Sequence, residues 1–366
     1  MATELRLCYS ADYLDHVALS LSQLTQISTS DFVAFVTAGS WADMALKERA
    51  GRLTDALIQF LPGPFEADLE ILKALLPEIT GDQFKYADML AMFVPDYVER
   101  KGSDNAQLSI EALAVLTRLG TTSELAIRPF ILRDPHHVMA HMLTWAEHEH
   151  HHVRRFASEG CRPRLPWAIA LPEFKKDPSL VLPILETLKA DDSKFVQKSV
   201  ANNLNDIAKD NPDKVLDFAE KWIDTHPNTN WIIKHGCRTL LKAGNSRALA
   251  LFGASPVQVK HCVLELSATE IRLGNDLNFS FTAELEGKLP ATLRIDYAVD
   301  FMKANGKQSR KVFRLSEEKT GSKQISVAKK HPFTDFTTRK HYAGEHGLSI
   351  ILNGQEVASS MLLLKT

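Results

Sequence analysis

Between about residues 10 and 250 the apolar positions recur at helical spacing, as at Leu69, Ile71, Leu72, Leu75 and Leu76 or at Leu108, Ile110, Leu113 and Leu116. Short clusters of Pro, Gly, Asp and Asn interrupt the pattern, among them Pro62-Gly63-Pro64 and Asp210-Asn211-Pro212. This predicts an all-helical region. Near residue 255 the period shortens to two. Val259–Leu266, Leu277–Leu285, Ala291–Val299, Lys311–Leu315, Gln324–Val327, Gly347–Leu352 and Val357–Leu364 then read as about seven short strands. The expected organisation is a helical domain over 1–255 and an all-β, immunoglobulin-like sandwich over 256–366.

The helical part repeats itself. Asp134-Pro135-His136-His137-Val138, Asp177-Pro178-Ser179-Leu180-Val181 and Asn211-Pro212-Asp213-Lys214-Val215 each offer a cap, a first-turn proline and a first core residue. A second helix is expected after each, centred on Val153-Arg154-Arg155, Val196-Gln197-Lys198 and Ile232-Ile233-Lys234. Helix pairs of this kind cannot bury their apolar faces alone, so they stack into a HEAT-like solenoid with a binding surface along it.

Composition narrows the function little. The 366 residues carry a net charge of -2, so affinity for a polyanion must come from local patches. Cys8, Cys161, Cys237 and Cys262 show no C-x-x-C pairing, which fits a reducing cytoplasm. The first residues lack the apolar core of a secretory signal, and no run is long enough for a membrane span.

His148-Glu149-His150-His151-His152 matches H-E-x-x-H, which on one helical turn would aim two imidazoles at a zinc ion. The repeat argues against it. Shifted into register, Lys189–Ser193, an inter-helix turn, falls on Ala146–His150, so the motif should straddle a turn with His151 opening the next helix. Seven of the fourteen histidines lie between 136 and 152, which also makes a chance match easier. No metal site is expected.

Aligned second helices place Arg155, Lys198 and Lys234 at one repeat position and Glu159, Asn202 and Arg238 one turn later, a polar stripe that is either a solvated face or a phosphate track. Arg162 and Arg164 sit in a loop stiffened by Pro163 and Pro166 and followed by Trp167, where guanidinium forks would lose little entropy on engaging phosphate. A second basic stretch runs through residues 303–340, with eleven Lys or Arg, Arg339 included, against Glu317, Glu318 and Asp335.

Ser123–Ile131 (SELAIRPFI), Val153–Ala168 (VRRFASEGCRPRLPWA), Ser199–Pro212 (SVANNLNDIAKDNP) and Trp231–Gly244 (WIIKHGCRTLLKAG) resemble the bacterial DNA alkylation repair glycosylases of the AlkC type, HEAT-like relatives of AlkD. The likeness includes Ala45–Leu57, and the β region resembles the immunoglobulin-like domain that some AlkC proteins append. The resemblance implies a monofunctional enzyme without metal or cofactor, acting as a monomer on double-stranded DNA and excising 3-methyladenine and 3-methylcytosine. Such a base already carries positive charge, so the enzyme's task is to stabilise an oxocarbenium-like sugar and position water. Glu159 is the first candidate for this, with Asp206 and Glu124. Arg154, Arg155, Arg162, Arg164, Lys198, Lys234, His235 and Arg238 would track phosphates, with Asn202, Asn205 and Trp167 also at the DNA. AlkD-like chains carry an aromatic residue where this chain has Asn202-Asn203, so a tryptophan-lined cleft does not transfer whole. The competing functions are a non-enzymatic scaffold and a binder of DNA structure.

Overall fold

The helical periodicity is realised, in a computed structural model, as α-helices running from Ala11–Leu24 to Ser246–Leu251. Residues 4–61, 63–335 and 340–365 are described; Pro62 and Arg339 lie outside them. No helix among the described residues is long and apolar enough to cross a membrane. The chain forms two compact units, one of residues 1–215 with 222–236, the other of residues 216–221 with 237–366. The change from helix to strand falls between Leu251 and Gln258, so the last short helices, Arg238–Lys242 and Ser246–Leu251, belong to the unit of the sheets.

In the first unit, Pro135–Trp145 is followed by His151–Gly160, as the repeat requires. The Asp134 carboxylate accepts from the His137 N–H at 3.1 Å and caps the first of the pair. The second repeat departs from expectation. Asp177 accepts from the Ser179 N–H at 3.0 Å instead, a local turn, and the helix starts only at Leu182, running to Thr187. The second helices His151–Gly160, Lys194–Ile207 and Pro227–Gly236 lie side by side, the middle one packed against both others. Gly236 permits the closer approach, since a Cβ there would stand 2.9 Å from the Leu204 Cβ.

The second unit holds eight strands among its described residues: β1 (Gln258–Leu266), β2 (Glu270–Arg272), β3 (Asp276–Glu286), β4 (Thr292–Met302), β5 (Gln308–Lys319), β6 (Gln324–Pro332), β7 (Gly344–Leu352) and β8 (Gln355–Lys365). They form two sheets, ordered β1-β3-β6 and β2-β8-β7-β4-β5. The seven expected strands are present, several longer than read. The additional β2 is three residues long and pairs in parallel with β8. Alternation along β3 sends Leu277, Phe279, Phe281, Ala283 and Leu285 into a core shared with Tyr297, Val299, Leu348 and Ile350 of the other sheet. An all-α region followed by a β-sheet domain is thus what the chain builds. The basic stretch is less free than its composition suggests, because Arg310 pairs with Asp300 and Glu356, Arg314 with Glu317 and Lys330 with Asp276.

Candidate functional site

The histidine-rich segment is a turn. The helix Pro135–Trp145 ends before it, and a new helix opens at His151. Arg154 Nη1 donates to the carbonyls of His148 (3.0 Å) and Glu149 (2.7 Å), while the His150 N–H donates to His148 Nδ1 at 2.9 Å. His148 and His152 therefore do not share a helical turn, and the paired-imidazole face that a zinc protease needs is not formed. Burial and neighbouring imidazoles hold His150 and His152 below the ordinary histidine range.

One helix further on, the three candidate carboxylates meet in a single network. Glu159 is on the helix His151–Gly160 and Asp206 on Lys194–Ile207; Glu124 precedes the helix Arg128–Arg133, and all three are buried. Glu159 Oε1 accepts from Arg162 Nη1 at 2.7 Å, and Oε2 accepts from the Ser199 hydroxyl at 2.6 Å. Arg162 Nε and Nη2 reach Asp206 Oδ2 at 3.0 and 2.9 Å. Asp206 Oδ1 takes Lys209 at 3.0 Å. Arg155 pairs with Glu124 and lies 3.8 Å from Glu159. Burial pushes the Glu159 carboxyl up, but the charges of Arg155 and Arg162 and the hydrogen bonds from Ser199 and Arg162 outweigh it and leave it below the usual carboxylate range. Buried charges of this kind are costly to desolvate, and such clusters concentrate at functional sites. Chemically, the arrangement keeps an anion ready in a place where an uncompensated carboxyl would take up a proton.

Several expected phosphate-seeking residues are turned inward. Arg162 is buried between Glu159 and Asp206, Arg155 is drawn to Glu124, and Arg154 grips Asp191 with Nε and Nη2 at 2.6 and 3.1 Å. Each of these three guanidiniums, expected from the sequence to track phosphates, serves a carboxylate of the protein. Arg164 is exposed and forked onto Asp210 at 3.1 and 2.7 Å. Lys198 and Lys234 are exposed on adjacent helices, as the stripe requires, while Arg238 and Asn202 are half-buried and Asn205 is buried. His235 stacks on Trp231, centroids 5.1 Å apart.

Other residues at the site were not legible beforehand. Phe195, exposed, supplies an aromatic face on the helix that carries Asn202-Asn203, with the Arg155 guanidinium 4.2 Å from its ring centroid. Asn203 is used internally, its side-chain amide donating to the Ser158 carbonyl at 2.8 Å. Arg128 is fully buried and donates to the carbonyls of Gly160, Arg162 and Ile169. Arg128 stands inside the Ser123–Ile131 motif, which was the available signal. Trp167 is 59% exposed, with φ at +66°. That left-handed conformation costs a non-glycine residue about 1–2 kcal/mol.

Residues 121–240 match the family described as "DNA alkylation repair enzyme", and residues 260–366 match the one described as "Uncharacterised protein YhaZ, C-terminal Ig-like domain". The protein YhaZ of Bacillus subtilis (strain 168) is 44% identical over 319 residues, 86% of each chain. A solved structure of the Pseudomonas fluorescens alkylpurine DNA glycosylase AlkC, bound to DNA containing an abasic site analog, matches over 100% of both chains with 36% identity and a TM-score of 0.91.

Proposed function

Because the chain belongs to the AlkC/AlkD-like family of DNA alkylation repair proteins, with a C-terminal Ig-like domain of the YhaZ type, we propose that it is a DNA glycosylase that removes cationic N-alkylated bases from double-stranded DNA. The observation that carries this reading is Glu159: a buried carboxylate held ionised by Arg155, Arg162 and Ser199, in one network with Glu124 and Asp206.

The substrates proposed are 3-methyladenine and 3-methylcytosine nucleotides. Their positive charge makes the base a good leaving group, so no general acid is required. As the C1′–N bond breaks, its electron pair passes to the base and neutralises it. The sugar becomes oxocarbenium-like, and Glu159 stabilises that charge, with Glu124 and Asp206 shaping the field around it. Water then adds to C1′, and its proton passes to a carboxylate or to solvent, leaving an abasic site. Lys198, Lys234, Arg164 and Arg238 engage phosphates, with Trp167, Phe195, His235, Asn202 and Asn205 at the DNA surface.

In the same reading residues 1–255 form the HEAT-like DNA-binding and catalytic part, and residues 256–366 an immunoglobulin-like sandwich that assists engagement. The protein acts as a monomer in a bacterial cytoplasm, without metal. Incubation with methylated duplex DNA, with and without EDTA, tests the proposal by detecting free base. Binding without release would make the protein a scaffold or a DNA-structure binder, and release abolished by EDTA would return the metal to consideration.

A further inference from the structure

Trp167 is both exposed and held in the left-handed region, at φ +66°, where a bulky residue persists only if its surroundings fix it there. Two cations supply that fixation. Lys47, 120 positions earlier in the chain, donates from Nζ to the Trp167 carbonyl at 2.8 Å. Arg128, 0% exposed, donates from Nη1 to the carbonyls of Gly160 (2.8 Å) and Arg162 (2.9 Å) and from Nε to that of Ile169 (2.6 Å). These carbonyls lie on both sides of Trp167, and the Leu171 N–H closes the loop onto the Pro163 carbonyl at 3.3 Å.

Arg128 forms no ion pair among the described residues, and burial lowers its pKa to about 10, so it stays charged at neutral pH while it donates to three carbonyl oxygens. Two of those carbonyls, of Gly160 and Arg162, lie within the Glu159–Arg162 segment. A single guanidinium thus ties the end of the helix bearing Glu159 to the loop bearing the indole. Trp167 remains 59% exposed, with no aromatic ring stacked on it among the described residues.

We infer that Lys47 and Arg128 are positioning residues that hold Trp167 as a preformed surface for DNA, fixed relative to Glu159; the inference rests on the glycosylase reading above. Preorganisation of this kind removes the ordering cost that a mobile loop would incur on binding.

The test is a double-mutant cycle. Base release from methylated duplex and Kd for an abasic-site duplex are measured for wild type, Lys47→Met, Trp167→Ala and the double variant, with Tm recorded for each. Lys47→Met removes one charge-assisted hydrogen bond from an exposed position, so a loss of about threefold to tenfold in kcat/KM at unchanged Tm is expected. In the Trp167→Ala background it should cost nothing further. Losses that multiply in the double variant, or wild-type kcat/KM and Kd in Lys47→Met, overturn the inference for Lys47. Arg128→Lys, which keeps the charge but loses the fork, is placed in the same cycle. A loss of equal size with and without the indole would make Arg128 a folding element only and overturn its part. A wild type that binds the abasic duplex without releasing base from methylated DNA would sink the glycosylase reading, while the coupling in Kd would still decide the roles of Lys47 and Arg128.

Discussion

The Ser199 hydroxyl donates to Glu159 Oε2 at 2.6 Å across two helices, on the side of the carboxylate opposite Arg162. It favours the ionised form, as do the two arginines. In the proposed mechanism Glu159 acts as an anion, so base release should fall as pH drops through its folded pKa. Ser199→Ala removes one contribution that holds this value down. The acid limb of the pH–rate profile is therefore expected to move to higher pH, with kcat lower by roughly tenfold at neutral pH. An unchanged acid limb would show that another group controls it.

Arg162 is the common partner of Glu159 and Asp206, and all three are buried. Arg162→Ala leaves two carboxylates desolvated and without their shared cation. Removing one partner from such a cluster costs about 3–5 kcal/mol. The expected result is a Tm lower by roughly 6–20 °C, given about 2–4 °C per kcal/mol for a domain of this size. A phosphate-binding arginine would behave differently, with Tm unchanged and the loss confined to DNA affinity. Calorimetry beside a binding isotherm separates the two.

What could be read in the chain, and what could not, divides along local and cross-helix contacts. The turn at His148–His150 was legible because the repeat register places it there, whatever its residues spell. The Asp177-Pro178 and Asp134-Pro135 pairs look alike, yet only Asp134 caps a helix, since Ser179 offers Asp177 a nearer N–H. Strand β2 escaped because Glu270–Arg272 is too short to alternate. The three carboxylates stand inside recognisable motifs, and the Glu159–Arg162 pair, three residues apart, is local. Nothing in spacing reports that Arg162 also meets Asp206, 44 residues later. An arginine that faces a carboxylate inward and one that faces phosphate outward are written identically. Phe195 lies just upstream of the Ser199–Pro212 motif, outside the residues that carry the resemblance.

Glu99 offers a pH-dependent stability that is separate from the carboxylate network. It is half-buried beside Asp96, in a cleft of about 230 Å³ also lined by Lys47 and Trp167. Burial, then Asp96, pushes its carboxyl up to about 7, against the opposing charges of Arg100 and Lys47. The folded pKa is above the ordinary value of 4.5, so the folded state holds this proton more tightly. Its contribution favours folding below about pH 4.5 and is lost as pH rises through 7. Glu99→Gln keeps the neutral form. It should match wild type near pH 4 and exceed it at pH 8 by on the order of 1 kcal/mol, after allowing for solvent screening. Urea unfolding at the two pH values checks this, and equal stabilities at pH 8 would refute it.

Two cations of the helical repeats should respond to DNA in opposite ways. Lys198 is exposed on the helix Lys194–Ile207, whereas Arg154 is bound by Asp191 and by the carbonyls of the histidine turn. A lysine that neutralises one phosphate releases the counterion condensed there, and its removal reduces the slope of log K against log salt by about 0.9. Lys198→Ala should therefore weaken binding to damaged and undamaged duplex alike, reduce the slope by about that amount and leave Tm unchanged. Arg154→Ala should keep the wild-type slope and lower Tm, because what it loses is the tie between the histidine turn and the next repeat. A salt titration of both variants on one duplex decides the matter. If the slope falls for Arg154→Ala and not for Lys198→Ala, the phosphate track lies on the histidine side of the repeats and Asp191 releases its arginine when DNA binds.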